Sequence, residues 1–207
     1  MTALAQGKLS DDALMSCSQL PALMGRSGFQ TPNDVLDRAA KVRAARAAGE
    51  ADPPRSNSAG EAADWGNRSE NMILAEAAAR LNLPLQIDVL EAVTHYELKL
   101  QGSLDGILQG DGRVIEHDPA NGIYVAGSGF VALTGPGVLE AKLTGVMPLD
   151  EAADYRGPLQ CQGLMMCTGY IWSAIATLYR GTELRIYIAA ADAAVQEKIK
   201  ADVFDFE

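Results

Sequence analysis

Gly137-Val138-Leu139-Glu140-Ala141-Lys142-Leu143 sets two apolar residues before an acid, a small spacer and a lysine. Side chains alternate faces along a strand. A strand here puts Glu140 and Lys142 on one face and Leu139 and Ala141 on the other. Upstream, Gly102-Ser103-Leu104-Asp105-Gly106 places an acid at the end of an apolar run. On a neighbouring strand, Asp105 is expected to meet Glu140 across one Mg2+. Carboxylates hold a hard divalent cation, and a lysine beside them orients or deprotonates an attacking water. Glu97-Leu98-Lys99 repeats the acid-x-lysine spacing, but it precedes Asp105 and reads as an alternating, half-exposed strand. For Glu140-Ala141-Lys142 alone, the competing reading is a solvated strand face with a surface ion pair.

Outward from this stretch, residues 83–143 read as strands. Leu85, Ile87 and Val89 alternate, as do Tyr96, Leu98 and Leu100. Gly110-Asp111-Gly112, Pro119-Ala120-Asn121-Gly122 and Thr134-Gly135-Pro136-Gly137 punctuate the run as turns. Before it, Thr31-Pro32-Asn33-Asp34 opens a helix to Ala48, with Val35, Leu36, Ala39, Val42 and Ala45 at helical spacing and Gly49 as its stop. The other face of that helix carries Arg38, Lys41, Arg43 and Arg46, which is either a solvated face or a wall toward a DNA backbone. Residues 50–60 read as a flexible loop, followed by a helix from Trp65 to Arg80. After Lys142 the pattern predicts a loop, a helix over 159–176, a strand over 184–188 and a helix over 192–201. This order predicts a single-domain α/β sandwich, a mixed central sheet flanked by helices, spanning 1–207.

The chain has 207 residues, 48% of them hydrophobic and 21% charged, enough for one ordinary core. It lacks an apolar run of the length needed to cross a membrane, and its first residues lack the basic-then-apolar order of a signal peptide. Cys17, Cys161 and Cys167 have no paired C-x-x-C spacing, so they read as buried thiols of a reducing compartment. A net charge of −10 opposes a broad nucleic-acid-binding face. The charge is uneven: residues 1–80 hold 9 Lys/Arg against 10 Asp/Glu, and residues 81–207 hold 8 against 17.

Three further segments complete a pattern. Trp65-Gly66-Asn67-Arg68-Ser69-Glu70 opens its helix, Gln160-Cys161-Gln162 begins an apolar helix, and Ser16-Cys17-Ser18-Gln19-Leu20 reads as a short helix opened by serines. With W-G-x-x-x-E, L-D-G, E-x-K and Q-x-Q in this order, the chain resembles the λ-exonuclease/YqaJ-type viral recombinase nucleases. These are a branch of the PD-(D/E)xK superfamily, and the resemblance runs from about Ser16 to about Ala190. It implies a restriction-endonuclease-like core. The family's connection between Asp105 and Glu140 is often tighter, so an inserted hairpin is expected over 113–133.

The resemblance also implies roles. Asp105 is the central metal ligand, Glu140 shares the metal and the Ala141 backbone carbonyl adds an oxygen. Lys142 positions or activates the water, and Glu70 holds a second Mg2+ or a bridging water. Gln160 bonds the water or the scissile phosphate. Gln162 lies about 200° further round the helix and cannot point at the same atom, so its place is with the DNA. Ser18 and Arg26 are candidates for a terminal phosphate, with an N-cap as the rival role of Ser18. The family's basic residue before Ser18 has no clear match in Lys8-Leu9-Ser10-Asp11-Asp12. Trp65 reads as a core packing residue. The expected activity is a Mg2+-dependent (or Mn2+-dependent) exonuclease on double-stranded DNA ends. It digests the 5′-ended strand, releases mononucleotides and leaves a 3′ tail. The resemblance further implies a homotrimeric ring, a single-strand-annealing partner, and a phage or prophage origin with action in the bacterial cytoplasm. The alternatives are another end-processing nuclease or endonuclease of the superfamily, or a non-catalytic DNA-end-binding recombination protein.

Overall fold

The computed structural model describes residues 11–54, 60–87, 91–127 and 129–206. Lys8, Arg55, Val89 and residues 55–59 of the expected loop lie outside them. The described chain opens with β1 (Met15–Ser16), a helical turn at Cys17–Gln19 and α1 (Leu20–Leu23). Two long helices follow, α2 (Pro32–Ala47) and α3 (Gly60–Leu81). Then come β2 (Leu85–Gln86), β3 (Val93–Thr94), β4 (Leu100–Gly102), β5 (Gly106–Glu116), β6 (Ile123–Val125) and β7 (Phe130–Thr144). The chain closes with α4 (Pro158–Thr168), β8 (Trp172–Tyr179), β9 (Glu183–Ala190) and α5 (Ala193–Phe206).

The main sheet has strand order β2-β5-β7-β8-β9-β6. It is mixed: β5 is antiparallel to β7, β7 parallel to β8, β8 antiparallel to β9, and β6 parallel to β9. The parallel β7–β8 pair requires a crossover, and α4 provides it. Alternation along β7 divides the interior into two cores. Leu139 joins Ile73, Leu74, Ala77 and Leu81 of α3 on one face. Val138 joins Leu164 and Met165 of α4, with Ile199 and Val203 of α5, on the other. The small sheet β1-β4-β3 extends this second layer through Met15 and Leu100. The expected mixed sheet flanked by helices is the observed architecture, and none of its described helices is long and apolar enough to cross a membrane.

Some boundaries differ from expectation for local reasons. The helix expected over 159–176 ends at Thr168, because Gly169 takes a left-handed φ of 73° and caps it. The apolar stretch beyond it, Trp172–Tyr179, is the buried strand β8. Its near-continuous burial hides the period-two signal, as in any strand covered on both faces. Over 113–133, β5 and β7 continue pairing out to Glu116 and Phe130. The segment between them contributes β6, which crosses to pair with β9 at the far edge. Of the alternating run before Asp105, the described residues form the short strands β2, β3 and β4.

The α2 helix buries Val35, Ala39, Val42 and Ala45 as its spacing predicts, while Leu36 stays 37% exposed. Its basic face is largely tied up within the chain. Arg38 pairs with Asp12, and Arg46 pairs with Asp11 and Asp52. Arg43 donates from Nε to the Ala13 carbonyl. This face anchors the N-terminal segment, and little of its charge is left for a DNA backbone.

Packing is tight at Gly137, on the E-x-K strand itself. A Cβ there would lie 2.2 Å from the Trp172 indole, which is fully buried and donates from Nε1 to the Gly135 carbonyl at 3.3 Å. Gly137→Ala therefore forces the indole or the strand to move and is expected to destabilise the protein by about 1–3 kcal/mol. Gly28→Ala, where a Cβ meets nothing within 4 Å, serves as the control. Urea unfolding of both variants checks this.

Candidate active site

β5 begins at Gly106, whose register partner on β7 is Leu139. Asp105 precedes that first pair, and Glu140 follows it on the opposite strand. The two acids face each other where the ladder ends. Asp105 Oδ2 accepts the Ala141 backbone N–H at 3.0 Å. Glu140 is 2% exposed, on the face covered by α4. Lys142, two residues on, shares that face and donates from Nζ to Glu140 Oε1 at 2.5 Å and to Gln160 Oε1 at 3.0 Å. Gln160 lies in the first turn of α4, so the crossover helix completes the polar group on the strand.

Burial is the main cause that pushes the Glu140 carboxyl up, to about 7, with the adjacent Asp105 adding to it and the Lys142 ammonium opposing it. For Lys142, burial works against the charged form, but the Glu140 and Asp105 carboxylates outweigh it and raise its pKa. Lys142 is thus held as an ammonium, suited to orienting a water or stabilising negative charge and unsuited to taking a proton. Its side chain keeps 22% exposure, which leaves it reachable from solvent.

Glu140 Oε2 is buried and has no hydrogen-bond partner among the described residues. A buried carboxylate oxygen facing another carboxylate, with no donor, is a cost that a cation removes. The donor set is all oxygen, as Mg2+ prefers. Asp105, Glu140 and the Ala141 carbonyl therefore fit a hard divalent cation, with the Ala141 peptide on the same strand edge as Asp105.

The other expected site residues are distributed more widely. Glu70 lies on α3, one turn before Leu74, on the opposite side of the sheet from α4. Among the described residues no three acidic, histidine or cysteine side chains come together at metal-binding spacing, so Glu70 does not join Asp105 and Glu140 in one cluster. The sequence position of Gln162 predicts a place with the DNA. Here it is buried, donating to the Ala190 carbonyl at 3.0 Å and accepting from Asp192 N at 3.0 Å and Gln196 Nε2 at 3.2 Å. It ties α4 to the β9–α5 turn, a structural task. Ser18 is exposed, 2.9 Å from the Ser16 hydroxyl, and Ser16 holds the cap position of the helical turn. Arg26 is exposed and 3.7 Å from Asp154. Trp65, expected in the core, is 52% exposed; its Nε1 donates to Glu61 and the Arg68 guanidinium lies over its ring. A cavity of about 1130 Å3 lies over β8 and β9, lined by Tyr124, Leu159, Ile175 and Tyr187. It sits beside the carboxylates, not over them.

No protein-family model matches the chain. No curated protein matches it in sequence. Its fold is similar to those of solved exonucleases, in keeping with the fold the sequence resemblance implied. It is similar in structure to the alkaline exonuclease LHK-Exo of Laribacter hongkongensis. That match has a TM-score of 0.62 at 14% identity and covers 94% of this chain and 86% of the other. The same enzyme in complex with dAMP matches with a TM-score of 0.60 at 15% identity, with the same coverage. A phage-related exonuclease from Haemophilus somnus 129PT matches with a TM-score of 0.54 at 13% identity, covering 93% of this chain and 91% of the other.

The raised Glu140 pKa has a signed consequence. Without metal, folded Glu140 keeps a proton that the unfolded chain loses near pH 4.5. The stability it contributes is complete below that pH and is lost as pH rises toward 7. Glu140→Gln is expected to remove this decline between pH 4.5 and 7, measured by urea unfolding in EDTA. At pH 8, Mg2+ at about 100 times its Kd is expected to stabilise the wild type by about 2.7 kcal/mol and to leave Glu140→Gln unmoved, read by the same unfolding measurement.

Proposed function

We propose that this chain is a metal-dependent deoxyribonuclease, an exonuclease acting on the ends of linear double-stranded DNA. One observation carries the reading. In a nuclease fold, a buried carboxylate with an unpartnered oxygen faces a second carboxylate and is flanked by a lysine ammonium. A binding module has no need of such a cluster, which repels phosphate unless a cation is present. The neighbour that binds dAMP handles a deoxynucleoside monophosphate, the product class expected here.

The reaction is hydrolysis of a phosphodiester by water attacking in line with the leaving oxygen. Mg2+, with Mn2+ as a substitute, supplies Lewis-acid stabilisation of the attacking and leaving oxygens when bound. Asp105, Glu140 and the Ala141 carbonyl hold it. The Lys142 ammonium orients the water and offsets charge building on the phosphoryl oxygens, work that preorganised donors do best in a site closed to bulk water. Gln160 accepts from Lys142 and fixes its direction, and its amide N–H donates to the water or the scissile phosphate. Glu70, on α3 and outside the Asp105–Glu140 cluster, has no part in this step. Ser18 and Arg26 contact the terminal phosphate.

The resemblance supports the finer reading. The chain digests the 5′-ended strand, releases mononucleotides and leaves a 3′ single-stranded tail. It works as a homotrimer around the duplex with a single-strand-annealing protein, in phage-type recombination in the cytoplasm of a bacterial host. A closed ring also reconciles DNA processing with a net charge of −10, because topology substitutes for a broad cationic surface.

Digestion of linear duplex labelled at the 5′ or the 3′ end, with circular duplex alongside, tests this. The expected result is Mg2+-dependent early release of the 5′ label and intact circles. Lys142→Ala is expected to be slower by roughly a hundredfold to a thousandfold, the usual cost of removing a donor to transition-state charge. Cut circles or early 3′ release keep the site and change the enzyme. Absence of cleavage with any divalent cation overturns the proposal in favour of a DNA-end-binding protein.

A further inference from the structure

The last register pair of β5 with β7 is Gly106 with Leu139, so beyond Leu139 this edge of β7 has no strand partner among the described residues. Backbone polar groups of alternate residues point to the same side of a strand. The N–H and C=O groups of Leu139, Ala141 and Leu143 therefore share this edge. Asp105 occupies it at Ala141 N. Arg156 occupies it two residues on, donating from Nη1 to the Leu143 carbonyl at 3.2 Å. By strand rise the two positions lie roughly 7 Å apart. Arg156 thus stands beside the carboxylates on the same open edge, two residues before α4 and four before Gln160.

Its charge is not neutralised. Among the described residues, Arg26, Arg38, Arg46, Arg80, Arg113, Arg185 and Lys142 all have a carboxylate within ion-pair distance, whereas Arg156 makes no such pair. A guanidinium has five N–H donors, and here Nη1 alone reaches a protein acceptor. Nε is shut off from solvent and has no acceptor. The Tyr155 ring centroid lies 5.6 Å from Cζ and holds the group from one side. Among the described residues Nη2 meets no acceptor either, and it is the donor left to meet an oxygen from outside the chain.

We propose that Arg156 binds the DNA backbone. Its Nη2 donates to a non-bridging oxygen of a phosphate beside the Asp105–Glu140 site, while the Leu143 carbonyl and Tyr155 hold the guanidinium in place. This rests on the nuclease reading above. It adds a contact that sets the strand in register with the site. The competing role is purely structural, a tie between the 145–157 loop and β7.

Arg156→Gln separates the two, because an amide still donates to the Leu143 carbonyl but carries no charge. Duplex binding is measured against salt in Mg2+ with Lys142→Ala, alone and combined with Arg156→Gln. Cleavage is measured with Lys142 intact. The proposal expects the salt slope to fall by about 0.7–0.9, the loss of one phosphate contact. It also expects kcat/KM to fall roughly tenfold to a hundredfold, the cost of a charge-assisted hydrogen bond. The Mg2+-induced rise in Tm is expected to stay unchanged, and Arg156→Lys to restore the salt slope. An unchanged salt slope and kcat/KM overturn the proposal and leave the structural tie. If wild type cleaves DNA while Arg156→Gln is silent, the nuclease reading stands without this contact. If wild type neither binds nor cleaves DNA, both readings fall.

Discussion

A carboxylate buried on the central strand, against a second carboxylate, makes demands that the surrounding structure meets. Glu140 at 2% exposure has Lys142 two residues along on the same face and Asp105 across the strand gap. One ammonium cannot neutralise two carboxylates in a low-dielectric site. The remaining charge either keeps a proton or recruits a cation. The backbone makes this arrangement rigid. The strand carrying Glu140 pairs with β5 up to Leu139 and with β8 from Val138 onward, so beyond Leu139 it is held by β8 alone. The site is built where one ladder stops, because that is where side chains and carbonyls on the strand edge are released from pairing.

The same strand organises the two cores. Leu139 faces the α3 layer and Val138 the α4–α5 layer, so the alternation that sets Glu140 and Lys142 on one face also fixes which helices cover them. A one-residue slip would exchange the charged pair with Leu139 and Ala141 and bury apolar residues where Gln160 now sits. Gln160 meets Lys142 because α4 is the crossover between two parallel strands and must lie over them. Gln162, two residues further on, turns away and ties that helix to the turn before α5.

The charge distribution follows a related logic. The basic residues of α2 looked available for a nucleic acid, yet Asp11, Asp12 and Asp52 take up Arg38 and Arg46. These pairs hold the N-terminal segment over α2 and remove the one obvious cationic stripe. Near the carboxylates, Arg156 is left without a carboxylate partner at the open strand edge. Arginine at that place differs from arginine on α2 in its surroundings alone.

Period-two alternation and spacing made the E-x-K strand, Asp105 at the head of its partner and the helix–sheet class legible, because these depend on local order along the chain. The buried face of α2 was legible for the same reason. The fate of Trp172–Tyr179 was not, since a strand covered on both faces loses the alternation that distinguishes it from a helix. Trp65 was read as core from its side chain alone, and only the packing of α3 shows that its position turns outward. The roles of Gln162 and Arg156 also escaped the sequence. Each depends on which donors and acceptors lie nearby, and those partners come from residues 13 to 34 positions away in the chain. The sequence by itself determined the strand that carries Glu140 and Lys142 and the place of Asp105 at the head of its partner strand. Only the tertiary structure decided which polar groups meet and which are left without a partner, because hydrogen bonding and burial are set by contacts between segments distant in the chain.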